Sequence, residues 1–187
     1  MTPNMESLQG HLLVASTALR DPNFFHAVVL LVRHSDEGAM GVILNRPLEV
    51  RLRQVWKQVA DVECRRNDLI HLGGPCEGPL MAVHDNPVLG ESEAPAGVYF
   101  CTDRGSLEQL AADVECQVRF FAGFSGWGPG QLEGELAEGS WLTLPAAAAH
   151  VFAAEVDLWD RVTREISGRK ILDALGIREV PPDLRAN

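Results

Sequence analysis

The sequence predicts a single α+β domain spanning residues 1–187, and three observations carry that expectation. Apolar runs of strand length and helical stripes are interspersed, without the regular strand, helix, strand alternation of a doubly wound sheet. The turn "HSDEG" joins two apolar strands closely enough to make an antiparallel hairpin. The 187 residues suffice for one sizeable core, and no stretch rich in Pro, Gly or Ser divides them.

In chain order, Gly10 to Ala15 reads as the first strand, and Asp21-Pro22 as a helical turn with Asp as cap and Pro at the first helical position. Phe25 to Arg33 is apolar on both alternating faces, as in a strand buried on both sides. Ala39 to Asn45 follows across the turn and Pro47 ends it. Leu52, Val55, Trp56 and Val59 fall on one helical face, leaving Arg51, Arg53 and Lys57 to solvent, with Arg65 and Arg66 beyond.

Leu69 to Leu72, Leu80 to His84 and Val98 to Cys101 read as short strands, with Asn86 to Gly97 as a surface loop. Ser106 to Val114 reads as a helix opened by a Ser106/Gln109 capping box. Cys116 to Ala122 is a strand that leads into the loop "GFSGWGPG", Gly123 to Gly130, after which Gln131 to Ala137 turns helical and Trp141 to Leu144 extends. Phe152, Val156, Trp159 and Ile166 form the stripe of the terminal helices, supported by Asp157/Arg161 and Asp160/Arg164 pairs, with Gly168 and Gly176 as stops. The pentapeptide "ADVEC" occurs at Ala60 to Cys64 and again at Ala112 to Cys116. Its flanks do not sustain the match, and coincidence between two helix ends is the simpler reading.

Charge and composition exclude several function classes. A formal charge of −10 repels polyanions, so nucleic-acid binding would need a local basic patch, and Arg51, Arg53 and Lys57 read instead as a solvated helix face. The four cysteines form no C-x-x-C pair, and Met1 to Gln9 lacks the basic and apolar regions of a leader, so reduced thiols in the cytoplasm are expected. The longest apolar run, Ala27 to Val32, is far short of the about 20 residues that cross a bilayer, so no membrane contact is expected.

The loop "GFSGWGPG" invites three chemical readings. A nucleophile elbow needs G-x-S-x-G, and here Trp127 stands where the second Gly belongs. A dinucleotide fingerprint needs G-x-G-x-x-G, and Gln131 stands at the last position while Pro129 removes a donor. What remains is a strand-to-helix turn bearing an indole, with Pro129 at the first helical position.

A second glycine turn, Gly73-Gly74-Pro75, is flanked by His71, Cys76 and His84, whose spacing matches no zinc frame. No metal and no cofactor is therefore expected. His26 and His34 read as the solvated ends of one strand. Arg46, beside Pro47, is positioned to pair with Glu49 or with the acidic segment after Gln131, or to hold a ligand carboxylate.

The segments "LQGHLLVASTALRDPNFFHAVVLLVRHSDEGAMGVILNRPL", "HLGGPCEGPLMAVH" and "FAGFSGWGPGQLEGELAEGSWL" together resemble the AlgH/YqgE family, also called uncharacterised protein family 301. The resemblance covers nearly the whole chain. It implies a bacterial cytosolic domain in which a mainly antiparallel, bifurcated sheet folds into a pseudo-barrel with helices packed around it. It carries over no catalytic residues, and the family's proposed role is regulatory, sometimes described as transcriptional. The acidic loop "NPVLGESEAPAG" and the low lysine content count against direct DNA binding.

The function expected is thus that of a non-enzymatic regulatory or binding protein with a protein or small-molecule partner; the alternative is an enzyme whose site lies near the two glycine turns. The candidate ligand contacts are Asn45 and Arg46 as polar groups, Gly73, Gly74 and Gly126 as points of close backbone approach, and Trp127 with Gln131 as aromatic and amide contacts.

Overall fold

Strand β2 (Val28–Ser35) is apolar on both faces because it lies inside a sheet, between β1 (His11–Ala15) and β3 (Gly38–Ile43). The computed structural model describes residues 7–95 and 97–176. β2 and β3 form the expected hairpin, with Ser35 opposite Gly38 and a bulge between Leu31 and Arg33. On its other side, β1 pairs antiparallel with β10 (Trp141–Pro145).

The sheet branches at β9 (Val118–Trp127). One edge of β9 pairs antiparallel with β6 (Cys76–His84), which carries β8 (Tyr99–Cys101) and β7 (Ser92–Glu93) beyond it. The other edge is shared. β3 pairs with its end, Gly41 opposite Ser125, while β5 (Leu69–Leu72) runs parallel to its start, Ile70 opposite Phe120. β4 (Pro47–Arg51) extends β5.

Gly73 sits in the crotch of this fork. Its N–H donates to the Ala122 carbonyl at 2.9 Å, and its carbonyl accepts from the Ile43 N–H at 2.9 Å and from the Ser125 hydroxyl at 3.1 Å. A β-carbon there would fall 2.2 Å from the Gly123 carbonyl oxygen, so only glycine fits.

Helices cover the sheet in three places. α4 (Ala148–Val151) and α5 (Leu158–Ala174) close the concave side of the curled sheet, where Leu12, Leu30, Val42, Met81, Phe121 and Val162 meet. α1 (Leu52–Val59) and α2 (Arg104–Ala112) cover the outer face of the β5, β6 and β9 portion through Trp56, Leu107 and Leu110 against Ile70 and Phe120. α3 (Gln131–Ala137), with Leu8, Leu19 and Phe24, covers Leu13, Val29, Ile43, Trp127 and Trp141. The fold is a single α+β domain with a curled, mainly antiparallel half-barrel.

The two "ADVEC" copies occupy equivalent places. Each follows a helix, α1 or α2, and precedes a strand, β5 or β9, and those two strands lie side by side in parallel.

Several local expectations are corrected. β9 continues through "GFSGW" because Ser125, Gly126 and Trp127 pair with β3, so the turn is only Gly128 to Gly130; Gly130 caps α3 and Gln131, not Pro129, is its first residue. Pro47 opens an edge strand, where a missing N–H is tolerated. Asp21-Pro22 forms a turn closed by Asp21 onto the Phe24 and Asn23 N–H groups, not a helix. α2 begins at Arg104 with Asp103 as its cap, accepting from the Ser106 N–H at 3.0 Å, and Val114 lies exposed beyond its end.

Val156 is exposed and precedes α5, whose buried stripe is Leu158, Val162 and Ile166; Gly168 lies within that helix. Arg161 and Arg164 bond the carbonyls of Ala154 and Asp160 in place of carboxylates. His34 is buried, its Nδ1 accepting from the Leu8 N–H at 2.8 Å while Nε2 donates to Glu133 at 2.8 Å. Arg66 is buried as well. It bonds Asp68 at 2.8 Å, the Cys116 carbonyl at 3.0 Å and the Asp113 carbonyl.

Candidate functional site

The crossover from β3 to β4, Leu44 to Pro47, organises the candidate site from both sides. The Asn45 carboxamide accepts from the Val28 N–H at 2.9 Å and donates to the His26 carbonyl at 2.8 Å, while Arg46 Nη2 donates to the Phe25 carbonyl at 2.6 Å. Arg46 thus holds neither Glu49 nor the acidic segment. These three bonds fix residues 25–28 and hold His26 at φ 53°, a left-handed conformation that costs a residue with a β-carbon about 1–2 kcal/mol.

The result is a three-ring stack on the surface. The His26 imidazole lies 4.0 Å from the Phe25 ring and 3.9 Å from the Trp159 ring, with interplanar angles of 16° and 12°. Trp159 is tied down by its indole N–H, which donates to the Ala15 carbonyl at 2.9 Å. Phe25 is 61% exposed.

On the other side of the crossover, Arg119 projects from β9 and donates to the Leu44 carbonyl at 2.8 Å and to the Ala153 carbonyl. Its Nη2 lies 3.3 Å from Glu155 Oε1, and His71 Nε2 lies 3.0 Å from the same oxygen. With Nε2 donating to the carboxylate, the buried Nδ1 lies near the Phe120 backbone without a hydrogen bond of ordinary geometry. A cleft of about 490 Å³ opens here, lined among others by Arg66, Asp68, His71, Cys116, Arg119 and Glu155.

The electrostatics follow from burial. Desolvation holds His71 below its ordinary imidazole value, opposed by the hydrogen bond to Glu155. Burial also lowers Arg119, against the attraction of Glu155. For Glu155 burial works against ionisation, yet backbone and His71 hydrogen bonds and the nearby Arg119 bring its carboxyl below the usual range. Burial pushes the Cys116 thiol up to about 12, so it is no ready nucleophile at neutral pH.

The other sequence-predicted residues fall into two groups. Gly73 and Gly74 pack on the β9 backbone: a β-carbon on Gly74 would lie 2.3 Å from Phe124 backbone atoms. Ser125, beside them, is fully buried and cannot act as an exposed elbow nucleophile. Gly126 pairs with Met40. Trp127 and Gln131 meet through Glu135, whose Oε2 accepts from the indole of Trp127 at 2.9 Å and whose Oε1 accepts from Gln131 at 3.0 Å. Only Asn45 and Arg46 support the ring stack, and neither lines the cleft.

Sequence reasoning missed Phe25, Trp159, Arg119 and Glu155 as partners in one site, and it weighed His71 for zinc, rejected that reading and left it outside the candidate contacts. One signal was present: Arg119 is a lone charge inside the apolar run "VRFF". Among the described residues no group of His, Cys, Asp and Glu is arranged to hold a metal ion.

Comparison with known proteins agrees with this architecture. The AlgH-like family model matches residues 12–170. A UPF0301 protein of Chlorobaculum tepidum is 35% identical over 176 residues, covering 90% of this chain and 92% of that protein. A UPF0301 protein of Streptomyces coelicolor is 38% identical over 192 residues, covering 98% and 97%. The solution structure of the AlgH protein from Pseudomonas aeruginosa superposes with a TM-score of 0.73 at 29% identity, covering 97% of each chain. With a family match over residues 12–170, relatives 35% and 38% identical along nearly their whole length and a shared fold, the chain belongs to the AlgH-like family, UPF0301.

Proposed function

We propose that this is a non-catalytic binding protein of the cytoplasm, acting in regulation through a protein or small-molecule partner that it engages at the Leu44 to Pro47 face. The observation that carries the reading is the exposed Phe25, His26, Trp159 stack, whose backbone is held in a costly conformation by Asn45 and Arg46. Ordering an aromatic surface that solvent still reaches has its return in binding, because pre-organised rings lose little entropy when a partner arrives.

Direct nucleic-acid binding is disfavoured by the net charge of −10 and by the engagement of Arg51, Arg53 and Arg66 with backbone carbonyls of neighbouring loops. Free cysteines at all four positions suit a reducing compartment, and no described helix is long and apolar enough to cross a membrane.

A thermal-shift screen of metabolites and nucleotides, with crosslinking of the chain in cells, tests the reading on wild type and Phe25→Ser. It is supported by a compound or partner whose effect is lost in Phe25→Ser while the fold is retained. If no compound shifts the melting temperature and both chains crosslink to the same proteins, the reading fails.

A further inference from the structure

Glu155 stands where two basic side chains on neighbouring strands converge. His71 comes from β5 and Arg119 from β9, strands hydrogen-bonded in parallel with His71 opposite Phe121, so their positions are set by the sheet. Both are buried, their side chains 5% and 7% exposed, whereas that of Glu155 is 32% exposed. Glu155 itself belongs to no helix or strand. It lies in the connection between α4 and α5, next to Val156, which is 89% exposed and anchors nothing.

The carboxylate therefore reaches the pair from a solvent-facing connection, and it fills them incompletely. Both side chains converge on a single oxygen, Oε1, and no side chain of the described residues bonds Oε2. His71 Nδ1 is buried without a proper partner. The adjoining cleft of about 490 Å³ is large enough for a small organic acid or the last residues of a peptide, and the Arg66–Asp68 ion pair lines its far part.

We infer that Glu155 is an internal stand-in for a ligand carboxylate, and that the His71–Arg119 pair is the anchor of a carboxylate-binding site in this cleft. The ligand's carboxylate takes the place of Glu155 on Arg119 Nη2 and His71 Nε2, while Glu155 and Val156 swing outward beyond the Ala153 and Ala154 carbonyls, which stay bonded to Arg119 and Arg161. Arg119 suits this role because its planar guanidinium is held in place by the Leu44 and Ala153 carbonyls while Nη2 still approaches the carboxylate, giving a fixed, permanently charged partner. Leaving the pair unoccupied is costly, since a buried charge without a partner is strongly destabilising, so a built-in carboxylate keeps the fold intact between ligands. This rests on the binding reading and specifies its chemistry.

The test is an NMR titration of the full-length, isotope-labelled chain with acetate, succinate and a short peptide carrying either a free or an amidated C-terminus, against sodium chloride. The expected result is saturable shifts of the Arg119 guanidinium, the His71 ring and the 153–157 backbone. Succinate without the peptide points to a free acid as the source. The free peptide without its amide points to a chain terminus.

An internal competitor also predicts that Glu155→Ala binds the same carboxylate about tenfold more tightly, because the competent state is no longer a minor fraction. Glu155→Gln, which keeps the side-chain volume, serves where Glu155→Ala does not fold. A purely structural ion pair predicts loss of stability with no carboxylate binding in any form. Chloride-like, unsaturable shifts, or equal affinity in wild type and both variants, overturn the inference. If a Phe25-dependent ligand is found but no carboxylate reaches Arg119, this inference falls and the binding reading stands.

Discussion

Trp127 and Trp141 donate their indole N–H groups to one oxygen, Glu135 Oε2, at 2.9 and 2.7 Å. The rings meet edge to face with centroids 6.0 Å apart and are capped by Phe24. Glu135 thus links the end of β9 to the start of β10 and explains why the glycine turn is followed by a helix bearing glutamates.

Glu135→Ala leaves two indole donors on buried tryptophans without an acceptor, each worth about 1–3 kcal/mol. Urea denaturation should show a loss at the upper end of that range or beyond, and Glu135→Gln a smaller one. A change within experimental error in both would mean that the clamp contributes nothing.

Gly73→Ala places a methyl group 2.2 Å from the Gly123 carbonyl oxygen, in the crotch of the fork. Because the obstacle is backbone, the strands must part, and a loss of about 1–3 kcal/mol or more is expected. Gly130→Ala, which meets no neighbour but keeps a positive φ of 72°, should cost only about 1 kcal/mol. Thermal or denaturant unfolding of the two variants side by side checks the order.

Asn45→Ala deprives the buried Val28 N–H of its acceptor and frees the His26 carbonyl. The expected destabilisation is about 1–3 kcal/mol, accompanied by faster hydrogen exchange at residues 25–28. Unchanged exchange there would separate Asn45 from the ordering of the ring stack.

Stability should fall on mild acidification. Burial holds the His71 pKa below the ordinary 6.5, so between that lowered value and 6.5 the unfolded chain carries protons that the folded chain does not. Stability then rises with pH across this window and is lost as pH falls through it. His84, also lowered by burial, acts in the same sense. Denaturant midpoints in a pH series should show this slope, and His71→Asn should flatten it; an identical slope in the variant would assign it elsewhere.

Much of the fold was legible because its signals are local. The apolar spacing at Leu52, Val55, Trp56 and Val59 revealed the helix, although Arg51 ends β4 and only caps it, and "LIHL" bounded by Asp68 and Gly73 matched β5. The site was less so. Asn45 and Arg46 stood out beside a proline, but their partners, the carbonyls of His26 and Phe25, lie some twenty residues away and have no side-chain signature.

The sequence by itself determined the α+β class, the hairpin of β2 and β3, the helix and strand periods and the resemblance to a family, since each rests on residues within a few positions of one another. Tertiary structure alone decided that "GFSGW" is a strand, that Arg66 and His34 are buried, and that His71, Arg119 and Glu155 meet on one oxygen. Those outcomes depend on which strands pair and which loop crosses them. A buried polar group finds its partner wherever the fold brings one, and sequence spacing carries no record of that distance.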